Sequence, residues 1–97
     1  MRVIAKKILR EFWAIHADAE QALKVWHQEA GAGTWSSLNE LKKYYPGARI
    51  LGDTRVVFNI KGNKYRLIVK INFAYQMMWI RFIGTHAKYD KINAVEI

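Results

Sequence analysis

The strongest constraint on the fold is a run of side chains over residues 65–73 that alternate between apolar and polar. Large apolar residues occupy every second position, and the residues between them are mostly polar: Arg66, Ile68, Lys70 and Asn72. A repeat of two residues places successive side chains on opposite faces, as in a β-strand with one buried face. The run therefore predicts a strand that packs one face on a hydrophobic core.

Neighbouring segments continue this period and predict a small antiparallel sheet. Residues 56–60 alternate in the same way, and the turn Lys61-Gly62-Asn63 is typical of a hairpin that joins them to the first run. Residues 2–6 are compatible with a short opening strand. In the last strand we expect three residues on the core face, Met78, Ile80 and Phe82, and three on the opposite face, Trp79, Arg81 and Ile83.

The first half of the chain has helical spacing instead. Ile8, Phe12 and Ile15 predict a short helix. A second helix is expected over residues 18–30, with the side chain of Asp18 as its N-terminal cap.

A third helix is expected to begin at Thr34 or Ser36 and to end before Pro46-Gly47. Residues 86–95 predict a short helix or coil. Helices separated in this way from strands predict an α+β fold, with a small, mostly antiparallel sheet and helices packed on one face. We expect a single domain over residues 1–97.

The composition excludes several classes of protein. The chain has no cysteine, which excludes disulfide bonds, iron–sulfur clusters and thiolate zinc sites. No stretch approaches the roughly 18 apolar residues of a membrane span, and charges interrupt the N-terminal segment too often for a signal peptide. The histidines and acidic residues show no metal-ligand spacing such as H-E-x-x-H. We therefore expect a soluble, cytoplasmic protein that uses no metal or cofactor.

The net charge of +8 is carried mainly by the strand-rich half. Residues 1–48 hold seven Lys and Arg against five Asp and Glu, and residues 49–97 hold nine against three, so the two halves carry +2 and +6. Such a positive field suits the phosphate backbone of a nucleic acid or an acidic protein surface. It is also compatible with a basic surface that only maintains solubility.

The sheet face opposite the predicted core gathers cations around an aromatic ring. The residues expected on this face are Asn59, Arg66, Lys70, Trp79 and Arg81. Cationic groups interleaved with an aromatic side chain can bind single-stranded RNA through its phosphates and stacked bases. The alternative is a solvated sheet face on which Trp79 only covers an exposed edge.

Residues near the end of the last strand supply the groups needed for RNA cleavage without a metal. In that reaction the ribose 2′-hydroxyl attacks the adjacent phosphorus, so the protein must accept one proton, donate another and neutralise the phosphoryl oxygens. Arg66 and Arg81 offer permanent charge. His86 and Tyr89 offer proton transfer just beyond Gly84-Thr85, which is expected to break the strand. The alternative for His86 is an ordinary surface position beside a helix cap.

Three segments carry a further signal: residues 55–68 (RVVFNIKGNKYRLI), residues 80–90 (IRFIGTHAKYD) and residues 35–46 (WSSLNELKKYYP). The first two resemble the two signatures of the HigB toxin family, within the wider RelE-like mRNA interferase group, in their order and separation. The third resembles the part of that family before the strands. The similarity covers residues 35–93, whereas the helical first third is generic.

The resemblance implies a RelE-like microbial ribonuclease fold. It also implies a toxin that cleaves mRNA, commonly on the ribosome, and is neutralised by a helix-turn-helix antitoxin of the HigA type. By the same resemblance, Arg66 corresponds to the phosphate-binding arginine of the group, and His86 and Tyr89 lie in its catalytic region. His86 stands where other members have arginine, so acid and base are not assigned. The further positions expected to bind RNA or the ribosome are Asn63, Lys64 and Lys70.

Two other functions could use the same basic face. A non-catalytic RNA-binding module would bind RNA with strong salt dependence and yield no cleavage product. A protein that docks an acidic partner would have no affinity for RNA. Neither function needs a histidine and a tyrosine beside the arginines, so the residues favour a ribonuclease.

Overall fold

The computed structural model describes residues 1–97, which form five strands and four α-helices. The strands are β1 (Arg2–Ile4), β2 (Arg49–Ile50), β3 (Arg55–Ile60), β4 (Tyr65–Asn72) and β5 (Met77–Thr85). The helices are α1 (Lys6–Ile15), α2 (Glu20–Ala32), α3 (Leu38–Tyr44) and α4 (His86–Tyr89). None of these helices has both the length and the apolar character that a membrane span requires.

The strands form one sheet in the order β1-β5-β4-β3-β2. β1 runs parallel to β5, and the other three pairs are antiparallel. The α+β class and the mostly antiparallel sheet predicted from the sequence are confirmed. The predicted hairpin joins β3 to β4, and its turn contains Lys61 and Gly62 with φ angles of 56° and 65°.

One face of the sheet and the helices enclose the hydrophobic core. The predicted alternation places Leu67 and Val69 of β4 in this core, where they meet Leu9 and Leu23 from α1 and α2. Complete burial of one such side chain contributes about 1.5–3 kcal/mol to stability. Ile15 does not share the buried face of α1 that its spacing suggested, because it lies at the end of the helix and is 82% exposed.

The start of the second helix differs from the prediction. Asp18 lies in a 3-10 turn over Ala17–Ala19, and α2 begins at Glu20 without a side-chain cap. The Asp18 carboxylate instead accepts hydrogen bonds from Lys64 and Tyr65 at the start of β4. Asp18 therefore connects the helical layer to the sheet.

The third helix begins at Leu38, two residues after Ser36 and four residues after Thr34, the two expected starts. Ser37 is its cap, and the Ser37 hydroxyl accepts a hydrogen bond from the backbone N–H of Glu40 at 3.2 Å. Ser36 assists from the preceding position, where its hydroxyl donates to the Glu40 carboxylate at 2.6 Å. The cap is therefore the serine that follows Ser36, and neither of the two expected starts, Thr34 or Ser36, takes this position.

A β-bulge in β5 reverses the faces of the residues that follow it. Ile80 and Phe82 pair with successive residues of β4, so Arg81 is an extra residue in β5. Beyond the bulge, Phe82 lies on the face opposite the core, and Ile83 packs against the core. The faces predicted for Phe82 and Ile83 were therefore wrong, because one inserted residue shifts the alternation of every later side chain.

The segment after β5 covers the middle of the second sheet face, and we call this segment, residues 86–97, the C-terminal cover. Val57 and Ile68 lie on the second face, outside the main core, yet they are 3% and 0% exposed. Helix α4 contacts β4 and β5, and the main-chain oxygen of Ile97 accepts a hydrogen bond from Arg81 Nε at 3.3 Å. The face expected to be open is therefore closed across its middle, with clefts towards its two ends.

Candidate active site

A small cleft at one end of the second face contains Arg66 and Tyr89, and we call it the Arg66 cleft. Its volume is about 240 Å³, and its lining residues are Gly47, Arg49, Val57, Asn59, Arg66 and Tyr89. The guanidinium carbon of Arg66 lies 5.6 Å from the centre of the Tyr89 ring, within the range of a cation–π contact. The Nε atom of Arg66 is buried without a hydrogen-bond partner. An unsatisfied guanidinium donor in a cleft is suited to bind an anionic oxygen.

The register of the sheet determines where Arg66 lies. Arg66 pairs with Asn59 on β3 and with Gly84 on β5. A Cβ atom added at Gly84 would lie 2.5 Å from Cζ of Phe82, so the glycine allows the Phe82 ring to rest on the strand. Arg66 is therefore flanked by an amide on one side and by a position without a side chain on the other.

Helix α4 brings two predicted residues to the end of β5. The strand continues through Thr85 rather than breaking there, and the Thr85 hydroxyl caps α4 by accepting a hydrogen bond from the backbone N–H of Lys88 at 3.2 Å. Tyr89 then lines the Arg66 cleft, and His86 lies one turn earlier, with its ring centre 6.4 Å from that of Tyr89. The structure thus brings Arg66, Tyr89 and His86 to the same end of the sheet.

A carboxylate that was not among the predicted site residues, that of Asp90, orients His86. Nδ1 of His86 is 3.1 Å from Oδ2 of Asp90, and the histidine side chain is 47% exposed. A carboxylate at Nδ1 fixes the orientation of the ring and favours the tautomer whose Nε2 is an acceptor. The signal for this pair was a spacing of four residues in the segment predicted as helix or coil.

Arg81 lies in a separate and larger cleft towards the other end of β4, which we call the Trp79 cleft. The cleft has a volume of about 540 Å³, and its lining residues include Thr54, Lys70, Asn72, Phe73, Trp79 and Arg81. The Lys70 ammonium is 3.1 Å from Oδ2 of Asp53. The two arginines expected to act on one phosphate therefore line different clefts.

The hairpin residues Asn63 and Lys64 are exposed and line neither cleft. The Lys64 ammonium binds the Asp18 carboxylate, which raises the pKa of Lys64 above its usual value. The same contact, followed by the hydrogen bond from the Tyr65 hydroxyl at 2.5 Å, lowers the pKa of Asp18. Lys64 therefore takes part in an ion pair with another residue of the same chain.

Arg49 lines the Arg66 cleft, although no sequence pattern predicted its place there. It belongs to β2, which has only two residues, and so short a strand shows no periodicity. The preceding Pro46-Gly47 turn was the only local signal for its position. No group of three histidine or acidic side chains in the chain comes close enough to hold a metal ion.

The sequence matches one known family over most of its length. The profile of the HigB toxin family, described as the RelE-like toxic component of a toxin–antitoxin system, matches residues 19–92. The chain belongs to the HigB toxin family. The family resemblance carried by residues 55–68 and 80–90 is therefore confirmed, and the RelE-like description agrees with the α+β architecture. Membership of a toxin–antitoxin family gives this HigB-family chain an antitoxin as a partner.

Relatives of this HigB-family chain are named for an activity on mRNA. The chain is similar to the mRNA interferase toxin HigB of Escherichia coli strain K12. The two are 27% identical in an alignment 97 residues long, which covers 98% of this chain and 93% of the relative. The identity and coverage are the same for the mRNA interferase HigB of Escherichia coli O157:H7 and for that of Shigella flexneri. The alignment therefore extends over nearly the full length of both chains.

Proposed function

We propose that this HigB-family chain is an endoribonuclease that cleaves mRNA and thereby arrests translation. The observation that carries the proposal is the Arg66 cleft, in which a guanidinium with an unpaired buried Nε lies against Tyr89, near the His86–Asp90 pair. These are the residue types needed for cleavage at a phosphodiester. The names of the relatives support mRNA as the substrate.

The proposed reaction transfers the phosphoryl group from the 5′-oxygen of the following nucleotide to the 2′-oxygen of the ribose that already carries it on its 3′-oxygen. The 2′-hydroxyl loses its proton and attacks phosphorus, the bond from phosphorus to the 5′-oxygen breaks, and that oxygen takes up a proton. The products are a 2′,3′-cyclic phosphate and a 5′-hydroxyl. Arg66 neutralises the charge on the phosphoryl oxygens, and His86 and Tyr89 move the two protons. Proton transfer by a positioned side chain contributes ~10²–10⁴-fold to such rates.

Other residues and partners complete the proposal. The residues proposed to hold the RNA are Arg49 and Asn59 in the Arg66 cleft, Lys70, Trp79 and Arg81 in the Trp79 cleft, and Asn63 and Lys64 in the hairpin. We place the reaction on mRNA bound to the ribosome, in the cytoplasm, without a metal or cofactor. The antitoxin is proposed to be a helix-turn-helix protein of the HigA type.

The test is cleavage of mRNA during translation by purified ribosomes. We expect Arg66→Ala to lower the cleavage rate ~10²–10³-fold, because it removes the charge that stabilises the transition state. His86→Ala is expected to lower it ~10²–10⁴-fold. Arg10→Ala, which removes an exposed arginine from α1, is the matched control and should cleave like the wild type.

The outcomes separate the candidate functions. Undiminished cleavage by both folded variants, Arg66→Ala and His86→Ala, would contradict the proposed site. Wild-type protein that binds RNA and yields no cleavage product would instead be a non-catalytic RNA-binding module. Wild-type protein without any affinity for RNA would support the docking of an acidic partner.

A further inference from the structure

The Trp79 cleft is the largest on the molecule and lies on the same sheet face as the Arg66 cleft. Lys70, on its wall, follows Arg66 on β4 by four residues and has its side chain on the same face. At ~3.3 Å per residue, the two positions are about 13 Å apart along the strand. One nucleotide therefore cannot fill both clefts, whereas a longer strand that passes over the C-terminal cover between them can.

The indole of Trp79 lacks the contacts with an aromatic ring or a cation that the other three tryptophans make. Trp13 has a lysine ammonium 5.5 Å from its ring centre, and Trp26 and Trp35 contact other aromatic rings at 5.4 and 5.3 Å. Neither an aromatic ring nor a cation covers Trp79, which is half-buried and lines the cleft. A half-buried indole fixed on a strand, with no ring against it, is suited to stack with a nucleic-acid base.

Two cations line the same cleft as this ring, and a carboxylate binds one of them. Lys70 pairs with Trp79 across β4 and β5, and Arg81 occupies the bulge two residues further on. Arg81 donates only its Nε to the C-terminal cover, so its two terminal nitrogens stay available. Asp53 holds Lys70 at 3.1 Å and Arg55 at 2.8 Å, and its side chain is 65% exposed. This carboxylate reduces the positive charge that an incoming anion meets.

We propose that the Trp79 cleft is a second nucleotide site of the enzyme. The base of a nucleotide beyond the cleaved one stacks on Trp79, and a backbone phosphate binds Lys70 and Arg81. The inference rests on the proposed RNA-cleaving function and specifies its substrate: single-stranded RNA that is longer than a dinucleotide and engages both clefts. Asp53 competes with that phosphate for Lys70.

The test compares two RNAs that cannot be cleaved because their 2′-oxygens are methylated, a dinucleotide and a hexanucleotide. The wild type should bind the hexanucleotide more tightly, and the ratio of the two affinities measures the second site. Trp79→Ala should reduce this ratio about fivefold or more, the loss typical of one stacked base. Trp79→Phe should keep most of it because an aromatic face remains. Arg66→Ala should weaken binding of both RNAs and leave the ratio in place.

Charge variants provide an independent readout. Lys70→Ala should reduce the slope of log affinity against log salt for the hexanucleotide by about 0.7, the value for one contact to a single-stranded phosphate. Asp53→Asn should raise hexanucleotide affinity because the ammonium of Lys70 no longer faces a carboxylate. Lys7→Ala, which removes an exposed lysine from α1, is the matched control and should change neither quantity.

The two proposals fail in different ways. The proposal of a second site is overturned if Trp79→Ala keeps the full ratio of hexanucleotide to dinucleotide affinity, or if Trp79→Phe loses as much of that ratio as Trp79→Ala. It is also overturned if Lys70→Ala leaves the slope of log affinity against log salt unchanged. In each case weaker binding by Arg66→Ala would still support the cleavage site. Wild-type protein that binds neither RNA and also yields no cleavage product during translation would overturn the proposed function itself.

Discussion

The carboxylate of Asp18 joins the 3-10 turn before α2 to the hairpin between β3 and β4. It accepts hydrogen bonds from the Lys64 ammonium and from the Tyr65 hydroxyl, and these contacts lower its pKa from the usual 3.8. A lowered pKa means that the fold favours the ionised carboxylate. Its contribution to stability is therefore complete above the usual pKa and is lost as the pH falls through the lowered value.

We expect Asp18→Asn to be less stable than the wild type at pH 7 and to lose less stability on acidification, because its side chain has no proton to bind. Urea unfolding at pH 7 and near pH 3 measures both effects. Glu11→Gln, which breaks an exposed pair with Lys7 at 3.7 Å, is the control and should change stability less. The same acid sensitivity in Asp18→Asn and wild type would contradict this role.

At the scale of the element, the bulge in β5 shapes the surroundings of Arg66. The extra residue, Arg81, turns the Phe82 ring towards the second sheet face. The ring then rests on Gly84, which pairs with Arg66. Without the bulge, Phe82 would point into the core, and the strand beside Arg66 would present a different side chain.

Gly84→Ala tests this arrangement, because the added Cβ would lie 2.5 Å from Cζ of Phe82 and force the ring to move. We expect a loss of about 1–3 kcal/mol in the free energy of unfolding, the usual cost of overpacking. The matched control is Gly52→Ala, whose Cβ meets nothing within 4 Å. In a Phe82→Ala background, Gly84→Ala should lower the free energy of unfolding by less than it does in the wild type. An equal loss in the two backgrounds would show that the Phe82 ring does not rest on Gly84.

The fold was predictable where a local pattern determines the structure. Alternation over residues 56–60 and 65–73 was sufficient for β3, β4 and their hairpin, because a period of two is a property of each strand alone. The faces of Phe82 and Ile83 were not predictable, since a bulge adds one residue without changing the residue types around it. The partner of Asp18 was equally hidden, because Lys64 is distant in sequence.

The candidate site was predictable to a similar degree. Residue types and the family resemblance selected Arg66, His86 and Tyr89, which lie at one end of the sheet, although their roles remain a proposal. Alternation predicts which face of the sheet a side chain occupies, but it does not predict which residue of the neighbouring strand lies beside it. Arg81 was therefore expected beside Arg66. Arg49 was missed because its strand has only two residues.

At the scale of the whole molecule, the C-terminal cover gives the sheet a second buried layer. Val57 and Ile68 are as well buried as the main core, although they lie on the opposite face. We expect Ile68→Ala to cost about 2–5 kcal/mol in urea unfolding, as for a core isoleucine. Ile50→Ala, at a position 38% exposed, is the control and should cost much less. Similar costs at the two positions would mean that this face is open.

The position of Tyr89 after the last strand also fixes when the cleft can first exist. Arg66 and the whole sheet precede α4 in the chain, so a growing polypeptide presents the guanidinium before the ring that it stacks on. The cleft closes only after residues 86–89 have emerged from the exit tunnel. A nascent copy of this chain therefore lacks the complete Arg66 cleft while the codons for its five strands are still being read.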